Sequence, residues 1–522
     1  MKPFRPEVAP DPSPAAAARL LCISALFLTL LELAQGSRGS MVSNRPFITV
    51  WNGDTHWCLV DHGVDVDVSV FDVVANKKQS FQGSNMTIFY REELGTYPYY
   101  TPTGEPIFGG LPQNASLVTH LAHAFQDIKA AMPEPDFSGL AVIDWEAWRP
   151  RWTFNWDSKD IYRQRSMELV RAEHPDWPET LVEAVAQDQF QKAAQAWMAG
   201  TLQLGQVLRP RGLWGYYGFP DCYNNNDFPS SKYTGQCSPS IRDQNDQLGW
   251  LWNQSYALYP SIYLPSALMG TGKSQMYVRH RVQEAFRVAT ASRDPHVPIM
   301  PYVQIFYEMT DYFLPLEELE HSLGESAAQG AAGAVIWLSS EKTSTKEACR
   351  AIKAYMDSTL GPFIVNVTSA ALLCSEALCS GHGRCVRRPR YPEALLTLNP
   401  ASFSIELTHD GRPPSLKGTL SLKDRVQMAM KFKCRCYRGW SGKWCGKQGL
   451  ETLLERKQNE TLISLSLELG EVQAELNTSK LLEAIGRTKR RRSQRKETTG
   501  LVSSRHRKGR SQGQNGPTLV LL

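Results

Sequence analysis

Two carboxylates two positions apart carry the chemistry that this sequence offers. Asp144 and Glu146 follow an apolar stretch in the run Gly139-Leu-Ala-Val-Ile-Asp144-Trp-Glu146-Ala-Trp-Arg149-Pro150. The stretch reads as a strand, and side chains two apart on a strand point the same way. Both acids are therefore expected to face one direction at the strand's C-terminal end. Adjacent carboxylates resist double ionisation, so one of the two keeps its proton to higher pH. A carboxylic acid of that kind is the proton donor that a glycosidic leaving oxygen needs. The competing reading is plain ion pairing with Arg149, Arg151 or Arg165. The clean strand before the acids, with Trp145, Trp148, Trp152 and Trp156 close by, favours catalysis, because aromatic faces stack on sugar rings. Side chains at i and i+2 are rooted about 6–7 Å apart, so this spacing does not separate retaining from inverting geometry. No second strand-end Asp-x-Glu of this kind is evident. If a single acid works, an N-acetyl sugar can supply its own acetamido oxygen as nucleophile, while the second carboxylate orients the acetamido nitrogen.

The elements that must position these acids alternate along the chain from about residue 45 to 360. Candidate strands cover 47–51, 86–90, 140–145, 213–217, 261–264, 300–306 and 334–338. Helical patterns lie between them. One is Leu117, Leu121, Phe125 and Ile128; others run near 178–208, 274–292, 315–328 and 345–358. Strand followed by helix, repeated, means parallel strands joined by crossovers. About seven such units favour a distorted β/α barrel over an open doubly wound sheet, and barrel enzymes gather their catalytic groups at the C-terminal strand ends.

Composition sets the compartment. The net charge of +5 is misleading, because residues 449–522 carry 14 Lys+Arg against 8 Asp+Glu and residues 1–36 carry three of each. The body, 37–448, is left at −1, with no footprint for nucleic acid. The basic run Lys489-Arg-Arg-Arg492 and the Ser/Arg/Gln/Gly-rich end read as a solvated, disordered extension. Residues 1–36 read as a signal peptide: an apolar run over 20–33 precedes the small residues Ala34 and Gly36, and it is too short to span a membrane. No other stretch reaches about 18 apolar residues, so no transmembrane segment is expected. Of eleven cysteines, Cys22 falls in that signal, and the ten left form an even set, as in a disulfide-bonded secreted protein. Cys222 and Cys237 would staple a polar loop after the strand ending at Tyr217. Cys58 and Cys349 would tie the first strand's exit to the last helix. The spacing Cys434-x-Cys436-x8-Cys445 around Gly439-Trp440 resembles an EGF-like module over 371–448. That resemblance implies the pairs Cys374–Cys385, Cys379–Cys434 and Cys436–Cys445, around an unusually long insert. Zinc binding by these cysteines fits poorly with an oxidising compartment. Sequons at Asn85, Asn114, Asn253, Asn366, Asn459 and Asn477 suit the secretory route.

Longer motifs are more specific. The run Ile143-Asp-Trp-Glu-Ala-Trp-Arg-Pro-Arg-Trp-x-Phe-Asn-Trp-Asp157 is joined by Asp160-Ile-Tyr-Arg-Gln-Arg-Ser166, Gly215-Tyr-Tyr-Gly-Phe-Pro-Asp-Cys222-Tyr-Asn, Tyr259-Pro-Ser-Ile-Tyr263 and Cys379-Ser-Gly-His-Gly-Arg-Cys385. Together they resemble the hyaluronidase family, glycoside hydrolase family 56, over about 45–448. The resemblance implies a distorted barrel of about seven strands and endo-cleavage of hyaluronan, with some cleavage of chondroitin. It implies Glu146 as acid/base, Asp144 holding the acetamido group and Tyr217 bonding the nucleophilic oxygen. Tyr90, Asp221, Tyr263 and Trp337 would line the groove. No metal or organic cofactor is expected, and the chain is expected to be a monomer, lysosomal or secreted. Arg149, Arg279 and Arg281 are candidate partners for glucuronate carboxylates, with salt bridges at the protein surface as the competing reading. A second class of function, a non-catalytic hyaluronan binder or adhesion protein on the same barrel, is disfavoured by the intact set of Asp144, Glu146 and Tyr217. The extension after Lys447 matches nothing in the family.

Overall fold

Short runs of β-branched and aromatic residues, each closed by a polar or glycine position, make the strands of this protein. A computed structural model describes residues 41–74, 79–83, 85–225, 230–406 and 414–449, all within one compact unit, Gln35–Arg456. The expected signal peptide over 1–36, the extension from 450 onward and the sequons at Asn459 and Asn477 lie outside the described residues.

Two parallel sheets hold the site. The first has the order β2-β1-β7-β6, with β1 Ile48–Gly53, β2 Val73–Val74, β6 Tyr302–Val303 and β7 Gly333–Leu338. The second has the order β3-β4-β5, with β3 Met86–Tyr90, β4 Leu140–Asp144 and β5 Leu213–Tyr216. Parallel bridges Tyr217↔Tyr259, Leu258↔Ile299 and Ser261↔Tyr302 connect the sheets. The strand expected at 261–264 forms no ladder, and the one expected at 300–306 shrinks to β6. Prolines explain both. Pro260, Pro265, Pro298 and Pro301 have no N–H to donate. Their carbonyls still accept where the chain allows, from Tyr302 N at 2.9 Å to Pro260 O and from Leu258 N at 3.0 Å to Pro298 O.

Alternate strand residues pack inward. Ile48, Val50, Met86, Ile88, Leu140, Val142, Tyr259, Tyr302 and Val335 form one buried cluster enclosed by the strands. The other parity faces helices, among them α2 Leu117–Ala131, α3 Asp160–Glu173, α4 Glu179–Leu208 and α5 Ser274–Ala291; α1 is His56–His62. The start of α2 is fixed by Ser116, whose side chain accepts from Thr119 N.

The last helices differ from expectation. α6 Lys346–Tyr355 passes through a π-helical turn, Met356–Leu360, directly into α7 Gly361–Cys379. This run, 346–379, is long and apolar enough to cross a membrane by length and composition, and half of its most apolar window is buried inside the protein. It is therefore built as a core helix, with Ile352, Leu360, Phe363, Ile364 and Val367 in the main cluster. The boundary expected at 370/371 falls inside α7. Beyond it, β8 Gly383–Arg387 pairs antiparallel with β9 Phe432–Cys436. The long insert between them adds a hairpin, Phe403–Glu406 with Ser415–Gly418, and helix α8 Leu422–Lys431, which opens on a capping box of Ser421 and Asp424. Five disulfides join Cys58 to Cys349, Cys222 to Cys237, Cys374 to Cys385, Cys379 to Cys434 and Cys436 to Cys445. The cysteine-rich segment meets the body at the N-terminal ends of the strands. Arg384 donates to Pro46 O and Val42 O, and Arg387 pairs with the fully buried Glu325.

Candidate active site

The strand ends bring one set of groups together. Asp144 is the last residue of β4 and sits in register with Tyr90 on β3. Trp145 turns the other way and is buried against Tyr97, with ring centroids 4.5 Å apart. Two positions past Asp144 the Glu146 side chain is 53% exposed. The parity is the one expected of an extended segment. Asp144 Oδ1 has no hydrogen-bond partner among the described residues. Burial, and then the neighbouring Glu146 charge, push the Asp144 carboxyl up to about 7, against the opposing pull of Arg149. The carboxyl held up in this way is thus the inner one, so the raised acid is Asp144 and not the residue expected to donate the proton; the donor is identified instead by its exposure to the cleft. Tyr217, just past β5, is almost wholly buried and faces both acids: burial first, then the Glu146 charge, raise its phenol, with Asp144 adding to the effect. It hydrogen-bonds Ser261 and Tyr263 through its side chain.

An aromatic wall surrounds the inner carboxyl. Trp337 on β7 donates its Nε1 hydrogen to Tyr90 Oη at 3.3 Å. Tyr90 is pushed up to about 12 by burial, against the Trp337 hydrogen bond and with help from the Asp144 charge. Trp337 stacks on Tyr263 at 6.1 Å and 20°, and Tyr217 lies edge-on to Tyr302 at 4.9 Å. Tyr90, Tyr217, Tyr263 and Trp337 therefore form one group around Asp144.

Asp221 is placed differently. It accepts from Cys222 N at 2.7 Å and Tyr223 N at 3.0 Å, and pairs with Arg281 at 3.1 Å. Its link to the acids runs through Tyr223 and Arg149. Arg149 lies 3.3 Å from Glu146 Oε2 and hydrogen-bonds Tyr223. Burial opposes the Arg149 charge, while Tyr223, Glu146 and Asp221 together hold it above the ordinary guanidinium range. Arg281, 8% exposed, also donates to Asn224 Oδ1 at 2.9 Å and Ser261 O at 2.8 Å. Arg279 is paired with Glu325 and Glu393 away from the cleft. Arg279 and Arg281 are thus engaged by acids of the protein itself, the ion-pair alternative to glucuronate binding that the sequence also offered. The sequence reading also missed Tyr223, Tyr302 and Asn52. For Asn52 and Tyr302 the available signal was strand parity, since Asn52 follows Ile48 and Val50 at steps of two.

Of the expected glycosylation positions, Asn85, Asn114 and Asn253 are exposed, whereas Asn366 is half-buried in α7 and its Oδ1 accepts from Leu398 N at 3.0 Å. Among the described residues no group of three or more His, Cys, Asp and Glu side chains is placed to hold a metal ion.

Comparison with known proteins agrees with this picture. A family model described as hyaluronidase matches residues 36–449. The chain is 88% identical over 450 residues to hyaluronidase-1 of Mus musculus, covering 86% of this chain and 97% of that protein. It is 74% identical over 434 residues to hyaluronidase-1 of Homo sapiens, covering 83% of this chain and all of that protein. The solved structure of bee venom hyaluronidase in complex with a hyaluronic acid tetramer superposes with a TM-score of 0.56 at 32% identity, over 61% of this chain and 98% of that one. The chain belongs to the hyaluronidase family of glycoside hydrolases.

Proposed function

We propose that this hyaluronidase is an endo-acting, retaining enzyme that hydrolyses the β-1,4 N-acetylhexosaminide bonds of hyaluronan, and more weakly of chondroitin, by substrate-assisted catalysis. Glu146, the more exposed acid, protonates the leaving oxygen. The substrate's acetamido oxygen attacks the anomeric carbon, closing an oxazolinium ring as the glycosidic bond breaks. Asp144 accepts the acetamido N–H and the Tyr217 hydroxyl donates to the acetamido oxygen, so the nucleophile is held in line. Water then opens the ring, its proton passing to Glu146, and the anomeric configuration is retained. Tyr90, Tyr263 and Trp337 offer stacking faces for the sugars, and Asp221 braces the groove through Arg281 and Tyr223. The observation that carries this reading is the pair of acids on one face of a strand end, with Tyr217 turned toward both.

Glu146→Gln tests it. General acid catalysis contributes about 10²–10⁴-fold, so the variant should lose hyaluronan depolymerisation by at least about 100-fold while its melting temperature holds. The exposed Glu146–Arg149 contact is worth little to stability. A near wild-type rate of reducing-end release would refute the acid assignment.

The same reading extends to architecture and compartment. The bridged strands around the inner cluster belong to a distorted barrel of about seven strands, spanning 37–370. The segment 371–448 is an EGF-like module with a long insert. Five disulfides support folding in the secretory pathway, with delivery to the lysosome or the exterior as a monomer, and with glycans on the sequons at Asn85, Asn114, Asn253 and Asn366.

A further inference from the structure

Three polar groups lie under the aromatic wall without partners among the described residues. Asn52 is 1% exposed, and neither its Nδ2 nor its Oδ1 has a hydrogen-bond partner among the described residues. The Tyr302 hydroxyl is equally buried and likewise unpartnered, as is Asp144 Oδ1. All three belong to the space inside the strands. Asn52 continues the inward parity of Ile48 and Val50 along β1. Its register partner is Trp337, which donates to Tyr90, the register partner of Asp144. Tyr302 packs in the inner cluster and senses the charge of Asp144 as well as Tyr90 and Tyr217.

Such groups are costly to bury unless they serve something. An amide with both ends unpaired is worse for folding than a leucine of similar volume, and this amide sits in the layer that also holds the catalytic acid's partner. We infer that Asn52 and the Tyr302 hydroxyl form a donor set for the inward oxygen of Asp144, reached through a bridging water, and that Asn52 is a positioning residue for the step in which Asp144 orients the acetamido group. The inference rests on the reading of Asp144 given above. With its inner oxygen held, Asp144 presents its other oxygen to the sugar in a fixed direction. The titratable and charged groups facing Asp144 are Glu146 and Arg149 on its own segment, Tyr90 on β3, Tyr217 after β5, Tyr263, and Tyr302 on β6.

The test compares Asn52→Leu, Asn52→Ser and Tyr302→Phe in the full-length protein, with Glu146→Gln in parallel. Misplacing a positioned group by about 1 Å costs on the order of 100-fold, so Asn52→Leu should lower kcat on hyaluronan at least about tenfold while KM stays within about twofold. The limb of the kcat–pH profile that belongs to Asp144 should shift, and the melting temperature should hold or rise. Asn52→Ser, which keeps a donor, should recover part of kcat. Tyr302→Phe removes one hydroxyl and nothing else, so it gives the same readouts if Asn52→Leu folds poorly. Wild-type kcat and pH profile in Asn52→Leu, or in Tyr302→Phe when the first variant is unfolded, would overturn the inference. If Glu146→Gln is inactive while the Asn52 variants match wild type, this inference alone fails. If Glu146→Gln stays active, the underlying mechanism fails instead.

Discussion

Asp144→Asn should change how the stability of this protein depends on pH. The carboxyl ordinarily titrates at 3.8, and in the folded chain burial and Glu146 lift it to about 7. Between those values the folded state binds a proton that the unfolded state has already released, so stability falls as pH rises. The contribution is fully present below about 3.8 and is gone above about 7. Each pH unit of that interval is worth about 1.4 kcal/mol, which makes the whole effect about 4 kcal/mol. An asparagine stays neutral throughout and mimics the protonated acid in size and polarity. Guanidinium unfolding of both proteins at several pH values from about 3.5 to about 8 gives the difference directly, provided the slopes agree. Wild type should lose about 4 kcal/mol relative to Asp144→Asn across that range. Parallel stability curves would show that the inner carboxyl is ionised without penalty, and the burial argument would be wrong.

Two further predictions concern the frame around the site. The Cys58–Cys349 bridge closes a loop of 291 residues, for which chain entropy gives about 5–6 kcal/mol, against about 3 kcal/mol for Cys222–Cys237 with its separation of 15. Removing each pair in turn should destabilise the protein in that order, read as the shift in unfolding free energy, and the reverse order would count against the entropic account. Glu325 has a fully buried carboxylate held by Arg279 and Arg387. Glu325→Ala leaves the buried Arg387 guanidinium without its acid, and Arg279 with Glu393 alone, at a cost of about 3–5 kcal/mol, and amide exchange in β8 and β9 should quicken more than in β4. Unchanged exchange there would mean that the pair does not anchor the segment.

The parts of the fold legible in the sequence are those where local and long-range preferences agree. The strands expected at 86–90, 140–145, 213–217 and 334–338 appear within a residue or so, because each is an apolar run that ends up buried on both faces. Helices expected near 178–208 and 274–292 match Glu179–Leu208 and Ser274–Ala291 for the same reason. The segments around Tyr263 and Tyr302 read as full strands because their composition is right, but the flanking prolines withhold the donors a ladder needs. Helix α3 gives no readable apolar period, because its sequence, with Asp160, Arg163, Arg165 and Glu168, is mostly polar and buries only Tyr162, Ser166 and Val170. The π turn at 356–360 is a backbone adjustment without a sequence period, so the continuity of α6 and α7 was invisible. At the site, the common face of Asp144 and Glu146 follows from parity. Which acid lies deeper does not, since it depends on how far β4 penetrates between β3 and β5. The engagement of Arg281 by Asp221 and of Arg279 by Glu325 is a matter of tertiary contact between residues 46 to 60 positions apart.

The uninterrupted helical run from 346 to 379 acts as a tie rod. One end is bolted to the first strand's exit through Cys349, and the other carries Cys374 and Cys379, which hold the terminal segment. The π turn at 356–360 lies between them, and Ile352, Leu360, Phe363 and Ile364 pack the run into the main cluster, so the two ends are linked through one shared core.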